Sequence, residues 1–381
     1  MRVAIVQDEL VRRGGAEQVV LSMLKAFPNA DVYTMCYNAN NTFPEYKNYK
    51  IHTSLFQHLT TNARTMQLLF FPIGIICMKL MKVRNYDIVI VSNTHCAKYV
   101  SISKTSKVFM YTYTPFRLAW NPESYTEYNT SKGIKRLAFN IILNMIKRID
   151  KHESEKGHYF MGMTKETVER IKNAYQVKNV EIIPPPVKIK NFHISDSIEE
   201  FYLVVSRLEY YKKVDLVVEV FNKLNLPLII VGNGSKKNEL MDIAKPNIQF
   251  KSGLSAEEIA ELYAKCKAFI FPQHEDYGIT PLEANASGRP VIAYQAGGVL
   301  ETMIPYKSIE DNKFTSYFFN QQTSDSLEEA ILEFEKISHL VDSDFIRNHA
   351  MKFDEPVFNS KLKAFIDNKI GIDIVKFRNI S

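Results

Sequence analysis

Two glutamates, Glu275 and Glu283, stand eight positions apart in Phe271-Pro-Gln-His274-Glu275-Asp276-Tyr277-Gly278-Ile279-Thr280-Pro281-Leu-Glu283. The apolar run 268–271 reads as a strand, and Pro281 suits the first turn of a helix. Glu275 then lies in the loop after a strand and Glu283 in the first turns of the next helix. One carboxylate can meet the hydroxyls of a sugar while the other takes a ribose diol. Both stand near a helix N-terminus whose unpaired N–H groups can receive phosphate. His274 is adjacent to Glu275, but adjacency alone does not make it a base.

Cations stand at the end of another strand-like run, in Val205-Ser206-Arg207-Leu-Glu-Tyr-Tyr-Lys212-Lys213-Val-Asp215. An Arg at a strand end with a Lys five residues later, just before a helix, is placed to neutralise a diphosphate leaving group. Solvated surface charge is the competing reading. Gly14-Gly15 precedes a helical pattern, where adjacent glycines let phosphate approach backbone N–H groups, or simply make a strand-to-helix turn. The spacing lacks GxGxxG, so a nicotinamide-binding fingerprint is unsupported. Gly232-Asn-Gly234 lacks the GK[ST] ending of a P-loop and reads mainly as a turn. Gly297-Gly298 is a further glycine turn at a helix start. His95, after the run 87–92, reads either as a structural or capping histidine or as a contact to sugar or acceptor. Asp215 reads as a helix N-cap and Trp120 as packing.

Positioning these residues requires strands that end in loops. Continuously apolar, β-branched runs at 2–6, 31–34, 87–92, 107–113, 159–163 and 181–183 alternate with helix-period segments, which implies a parallel sheet covered on both faces. Pro184-Pro185-Pro186 and the polar stretch 188–200 read as an interdomain linker. The alternation restarts at 202–206, 228–231, 248–251, 268–271 and 290–294. The capping box Ser255-Ala-Glu-Glu258 marks a helix start. The reading is α/β, with two doubly wound, Rossmann-like halves facing a cleft and ligands held beyond the carboxyl ends of the strands. The expected domains are 1–186, 187–355, and a helix and tail over 356–381 that crosses back to the first.

Composition agrees with two ordinary globular domains. The chain has 381 residues, 46% hydrophobic and 24% charged, with 48 Lys and Arg against 42 Asp and Glu. That rules out disorder and a lone small module. A net charge of +6 does not by itself argue nucleic acid, and the cations are scattered rather than interleaved with aromatics. Four cysteines without CxxC spacing fit reduced thiols and a cytoplasmic setting. The N-terminus lacks signal-peptide character, and the apolar run 68–78 is too short to span a bilayer.

Taken together, Gly14-Gly15-Ala-Glu17, Arg207 with Lys212, Glu275 and Glu283 around Tyr-Gly-Ile-Thr-Pro, and Gly297-Gly298 resemble glycosyltransferase family 4, retaining enzymes of the GT-B fold. Ser92-Asn-Thr-His95 and Tyr111-Thr-Tyr113-Thr114-Pro115 are similar to its O-antigen and capsule mannosyltransferase branch, which carries a His where this chain has Tyr113. The resemblance implies that Arg207 and Lys212 hold the donor diphosphate, helped by N–H groups around Gly15, Gly278, Ile279 and Thr280. It implies that Glu283 takes the ribose hydroxyls and that Glu275 binds the transferred sugar near the reacting carbon. His95, Tyr113 and His274 become candidate sugar or acceptor contacts. No metal or other cofactor is implied, and Asp342-Ser-Asp344 reads as lying late in a helical region, not in a loop after a strand, which is unsuited to a metal-dependent site.

The acceptor side falls to the first half. The segments 132–151 and 68–84 combine Lys135, Arg136, Lys147, Arg148, Lys79, Lys82 and Arg84 with apolar surface. Each reads either as a basic helix lying in an anionic membrane interface or as a core helix with snorkelling ends. With the resemblance, the expected partners are a nucleotide-sugar donor, a polyprenyl-diphosphate-linked glycan acceptor and the inner face of the cytoplasmic membrane, with no nucleic acid. The leading expectation is hexosyl transfer, mannose from GDP-mannose. The alternatives are a UDP-sugar-dependent transferase, a GT-B nucleotide-sugar 2-epimerase and a non-catalytic partner subunit.

Overall fold

Strand β1 (Val3–Gln7) is buried along its whole length, as a strand covered on both faces must be. In the computed structural model, which describes residues 1–62, 65–66, 69–124, 126–310 and 313–378, it is an interior strand of a seven-stranded sheet. The other strands are β2 (Asp31–Thr34), β3 (Ile51–Thr53), β5 (Ile88–Asn93), β7 (Lys107–Thr112), β8 (Tyr159–Gly162) and β9 (Val180–Ile182), in the order β3-β2-β1-β5-β7-β8-β9. Every pairing is parallel, with Ala4 opposite Asp31 and Val3 opposite Ile88. A separate two-stranded sheet joins β4 (Lys82–Val83) to β6 (Ser101–Ile102). Helix α1 (Gly15–Ala26) follows β1, α2 (Ile75–Leu80) precedes β4, and α3 (Gly133–Ser154) and α4 (Lys165–Tyr175) flank β8. Leu68, at the start of the apolar run noted above, lies outside the described residues, as do the last three residues of the tail.

The chain divides into two compact units, Met1–Pro185 with Phe358–Ser381, and Pro186–Val357. The second holds a six-stranded parallel sheet of β10 (Tyr202–Val205), β11 (Leu228–Val231), β12 (Ile248–Lys251), β13 (Ala268–Phe271), β14 (Val291–Tyr294) and β15 (Ser316–Phe319), in the order β12-β11-β10-β13-β14-β15. Its first three strands run one way from β10 and its last three the other, the Rossmann order, whose crevice opens between β10 and β13. Its helices include α5 (Val214–Leu224), α6 (Ala256–Lys265), α7 (Ile279–Ala286), α8 (Ser324–Ile337) and α9 (Ser343–Ala350). The core sets Val204, Ile230 and Ile292 with Val217, Phe221, Ile331 and Phe334, all essentially inaccessible. Each such side chain stabilises the fold by about 1.5–3 kcal/mol.

Local chemistry explains several boundaries. Ser255 Oγ accepts from the Glu258 N–H at 3.1 Å and Glu258 returns a contact to the Ser255 N–H at 2.7 Å, the reciprocal cap expected at the start of α6. Three expectations need correction. The units divide within Pro184-Pro185-Pro186 as expected, but the stretch 188–200 belongs to the second unit rather than to a linker: Phe192 O accepts from Arg347 at 2.9 Å, Glu199 N–H bonds Lys265 O at 2.8 Å, and Ile189 N–H bonds Asp354 Oδ1 at 3.3 Å. Asp215 is not the N-cap of α5. That position is Lys213, at φ +55°, and Asp215 sits one turn-position inside, where its charge still favours the helix dipole. Asp342 begins a helix rather than ending one, its carboxylate accepting the Phe345 N–H at 2.9 Å as the N-cap of α9. Strands β3 and β15 were missed because Ile51-His-Thr is short and Ser316-Tyr-Phe-Phe carries no β-branched run.

The last helix, α10 (Glu355–Arg378), crosses the unit boundary. Within the first unit Phe358 packs edge-on against Tyr111 and Phe365 against Phe109 and Tyr159. All four cysteines are free thiols. No helix among the described residues is long and apolar enough to cross a membrane.

Candidate functional site

The loops that leave β10 and β13 gather most of the residues singled out above. After β10 the chain runs through exposed Arg207 to a short 3-10 turn, Tyr210–Lys212, and Lys213 takes the left-handed conformation that starts α5. That turn buries the Lys212 side chain, and its ammonium is ion-paired with Glu275 Oε1 from the loop after β13. A buried ammonium needs such a partner. The Arg207 and Lys212 cationic groups both lie over the Tyr211 ring, at 5.9 Å and 5.3 Å from its centroid. Arg207, Lys212 and Glu275 are therefore neighbours at one topological switch point.

Backbone packing fixes this cluster. Gly278, at φ +87°, is the N-cap of α7, so the N–H groups of Ile279 and Thr280 stand at the helix start. Glu283, one turn on and half-buried, accepts from Tyr263 Oη at 3.0 Å. Burial pushes its carboxyl up to about 7, and the tyrosine bond only partly opposes the rise. Gly297, at φ +76°, lies so close to Glu275 that a Cβ would come within 2.2 Å of the Glu275 carbonyl oxygen and 2.5 Å of His274 Cδ2. At Gly298 a Cβ would stand 2.4 Å from Tyr277 Cα, and the Gly298 N–H bonds Glu275 O at 2.8 Å. The Gly297-Gly298 turn is thus a clamp on the backbone of Glu275 and Tyr277. His274 itself is exposed. Gly232 and Gly234 serve the neighbouring turn in the same way, against Ser206 O and Leu208 O, while Glu209 takes Ser235 Oγ at 2.6 Å. That bond holds the Glu209 carboxyl below its usual range.

In the first unit, Gly15, His95 and Tyr113 also lie beyond the carboxyl ends of strands. Gly14 caps α1, and a Cβ on it would meet Glu17 Oε2 at 2.5 Å, so this glycine makes room for the Glu17 carboxyl. Glu17 is raised to about 7, first by burial and then by Glu9, against the pull of Arg12. Asp8 binds the N–H groups of Thr94, Cys96 and Ala97 at 2.6–2.7 Å. Burial alone would raise the Asp8 carboxyl, but His95 and these donors outweigh it and hold it well below the carboxylate range. The His95 ring lies 3.4 Å from Asp8 and 3.3 Å from Glu9, against Phe70 and Phe116. Burial would lower its pKa, yet Asp8 and Glu9 raise it well above the ordinary value. Tyr113 Oη shares a hydrogen with Ser92 Oγ at 3.0 Å and reaches Ala16 O at 3.2 Å. Asp8, His95 and Cys96 bring three ligand-type atoms within 4.8 Å of one another. The Asp8 oxygens are already saturated by backbone donors, and burial raises the Cys96 thiol to about 12, so this donor set fits a loop clamp rather than a metal.

Sequence reasoning missed the fully buried Lys98, which is paired with Asp150 at 2.6 Å. Trp120 Nε1, Tyr99 Oη and Tyr175 Oη also bond that carboxylate at 2.8–3.1 Å. No motif marks this network, since its members come from four separate segments. Trp120 does pack, on Tyr175.

Residues 188–350, nearly all of the second unit, match the family described as "Glycosyl transferases group 1". The alpha-1,3/1,6-mannosyltransferase ALG2 of Candida glabrata is 22% identical over 88% of this chain and 85% of its own. The O-antigen chain mannosyltransferase C of Escherichia coli is 31% identical, over 26% of this chain and only 29% of its own length. Among solved structures, sucrose-phosphate synthase from Thermosynechococcus elongatus superposes with a TM-score of 0.76, covering 98% of this chain and 100% of that one at 13% identity. Anabaena HepE in complex with UDP-glucose gives 0.68 over 97% and 100% at 14% identity. The fold is GT-B, two Rossmann-like α/β domains. The family match and the mannosyltransferase relatives support a GT-B glycosyltransferase.

Proposed function

We propose that the protein is a retaining hexosyltransferase of glycosyltransferase family 4, moving mannose from GDP-mannose to a polyprenyl-diphosphate-linked glycan during cell-surface polysaccharide synthesis at the inner face of the cytoplasmic membrane. The observation that carries the reading is the meeting of Arg207, Lys212, Glu275, Glu283 and the α7 N-terminus around the β10/β13 switch point. The relatives named as mannosyltransferases support the choice of sugar.

The donor diphosphate lies against the Arg207 guanidinium and the Lys212 ammonium, and the Ile279 and Thr280 N–H groups add to its binding. Phosphate oxygens replace Glu275 as the partner of Lys212, which frees Glu275 to accept from the hexose hydroxyls. Glu283 takes the ribose diol. As the bond from the anomeric carbon to the diphosphate oxygen breaks, negative charge grows on the leaving group, and the fixed cations stabilise it more than they do the ground state. The acceptor oxygen bonds the same face of that carbon, and its proton passes to the departing phosphate oxygen. No metal or nucleophilic side chain takes part.

A thermal-shift series with GDP, UDP, dTDP and ADP, with and without magnesium, tests this directly. A nucleotide at a hundredfold its dissociation constant adds about 2.7 kcal/mol to the native state. Metal-independent selectivity for GDP is the expected result. Selectivity for UDP moves the donor to UDP-hexoses, donor turnover without acceptor points to a 2-epimerase, and indifference to every nucleotide refutes the transferase reading in favour of a non-catalytic subunit.

A further inference from the structure

Helix α3 has two apolar faces, and only one is used by the fold. Its 22 residues span about 33 Å. Leu143 and Ile146 face inward, and with them Asp150 and Glu153, which are taken up by Lys98 and by Lys79 and Lys156. On the opposite side Ile134, Leu137, Ile141 and Met145 follow one another at helical spacing and are 86%, 61%, 54% and 47% exposed. A stripe of that length contradicts the habit of a surface helix, whose outward face is polar.

Charge frames the stripe. Lys132, Lys135, Arg148 and Lys151 are exposed, Arg136 and Lys147 partly so, and the one acid between residues 132 and 151 is the buried Asp150. At the C-terminal end Lys147 lies 4.4 Å from the Trp120 ring centroid, and Lys147, Arg148 and Lys151 line a groove of about 540 Å³ with Asn144 and Gln176. The Lys79–Glu153 ion pair of 2.8 Å fastens α2 to α3, and α2 and the turn before it show Ile73, Ile76 and Leu80 to solvent, with Lys82 and Arg84 exposed beyond.

We propose that this face of α3 is a docking surface for a bilayer that carries anionic lipid. Apolar side chains flanked by Lys and Arg match a helix lying in the interfacial plane, with its stripe among the acyl chains and its cations at the phosphates. The basic groove is positioned for a headgroup phosphate. A second copy of the chain is the poorer occupant, because it would set six cations against six, and residues 132–151 offer no exposed acid to offset them. The inference gives the membrane setting of the proposed function a surface, while its observations, the exposed stripe and its cations, do not depend on sugar transfer.

Flotation of the full-length protein with vesicles separates the cases. Binding to phosphatidylcholine–phosphatidylglycerol vesicles, and much weaker binding to phosphatidylcholine alone, is expected. Leu137→Ser with Ile141→Ser should lower partitioning by on the order of a hundredfold, and Lys135→Gln or Arg148→Gln by roughly fivefold each. These side chains are exposed, so melting temperature and the GDP response should stay at the parental level. Equal partitioning onto both vesicle types, double-variant binding equal to the parent, or absence of vesicle binding with a concentration-dependent dimer that Leu137→Ser and Ile141→Ser abolish would each overturn the proposal. Vesicle binding without nucleotide stabilisation would leave this surface standing and refute the transferase.

Discussion

Replacing Glu283 with glutamine should stabilise the second unit at neutral pH and leave it unchanged in mild acid. Burial lifts this carboxyl from 4.5 to about 7, so between those values the native state binds a proton that the unfolded chain releases. By linkage, stability falls as pH rises across that window and stays at the lower level above it. At 1.36 kcal/mol per pKa unit the deficit reaches about 3 kcal/mol by pH 7. The glutamine amide oxygen can still accept from Tyr263 but does not titrate, so the variant should lack the deficit. Urea unfolding of both proteins at steps from pH 4.5 to 8, followed through the transition of the second unit, gives the comparison. The difference should be near zero at the acid end and grow to about 3 kcal/mol. Parallel profiles would refute the burial argument. The ribose role adds a second signature: a diol donates best to the ionised form, so nucleotide binding should release a proton and strengthen from pH 6 to 8 in the parent but not in the variant.

Lys212→Met should keep the fold while lowering transfer by on the order of a hundred- to a thousandfold, the loss typical of one charge-stabilising donor. A folded Glu275→Ala protein that transfers at the parental rate would sink the site. Gly297→Ala must strain a left-handed backbone and push on Glu275 O at 2.2 Å, so thermal unfolding should show a loss of about 1–3 kcal/mol. Gly371, where a Cβ would meet nothing within 4 Å, should accept alanine without loss. Asp8→Asn should destabilise the first unit by about 3 kcal/mol or more at neutral pH, since it removes the buried carboxylate that pairs with His95 and takes one of the acceptor oxygens from the Thr94, Cys96 and Ala97 N–H groups. In the parent, Asp8 supplies stability that is present above its unfolded value near 3.8 and fades as pH falls through its depressed folded value, which acid titration of the unfolding midpoint would show.

The strands β1, β2, β5, β7, β10, β11, β12 and β13 were legible because parallel sheets need continuous apolar runs, and the chain supplies them. Strands β3 and β15 lack that pattern, and what pairs them, the stacking of His52 on Tyr33 and of Phe319 beside Tyr294, joins residues distant in the chain. Arg207, Lys212, Glu275 and Glu283 were legible because each follows a readable strand at a short interval. That Lys212 and Glu275 neutralise each other was not, since a pair drawn from two loops leaves no periodic trace. The glycine turns were visible as glycines, but their reason, carbonyl oxygens of another segment in the space of a Cβ, exists only once the backbones meet. The helix over residues 132–151 was ambiguous for a related reason. Sequence showed that it was apolar on many sides, and only the packing showed which side the core had left uncovered.

Val187 is bridged to Asp354, with the Val187 N–H on Phe353 O at 2.9 Å and the Glu355 N–H on Val187 O at 3.1 Å. The polypeptide therefore comes into the second unit and departs from it through one zipped pair of segments. Topologically that unit is a cassette whose entering and leaving segments lie side by side. Cut at Pro186 and Val357, it would carry its own clasp, and its termini would already be together. A circular permutant of that unit joined there should need only a short splice.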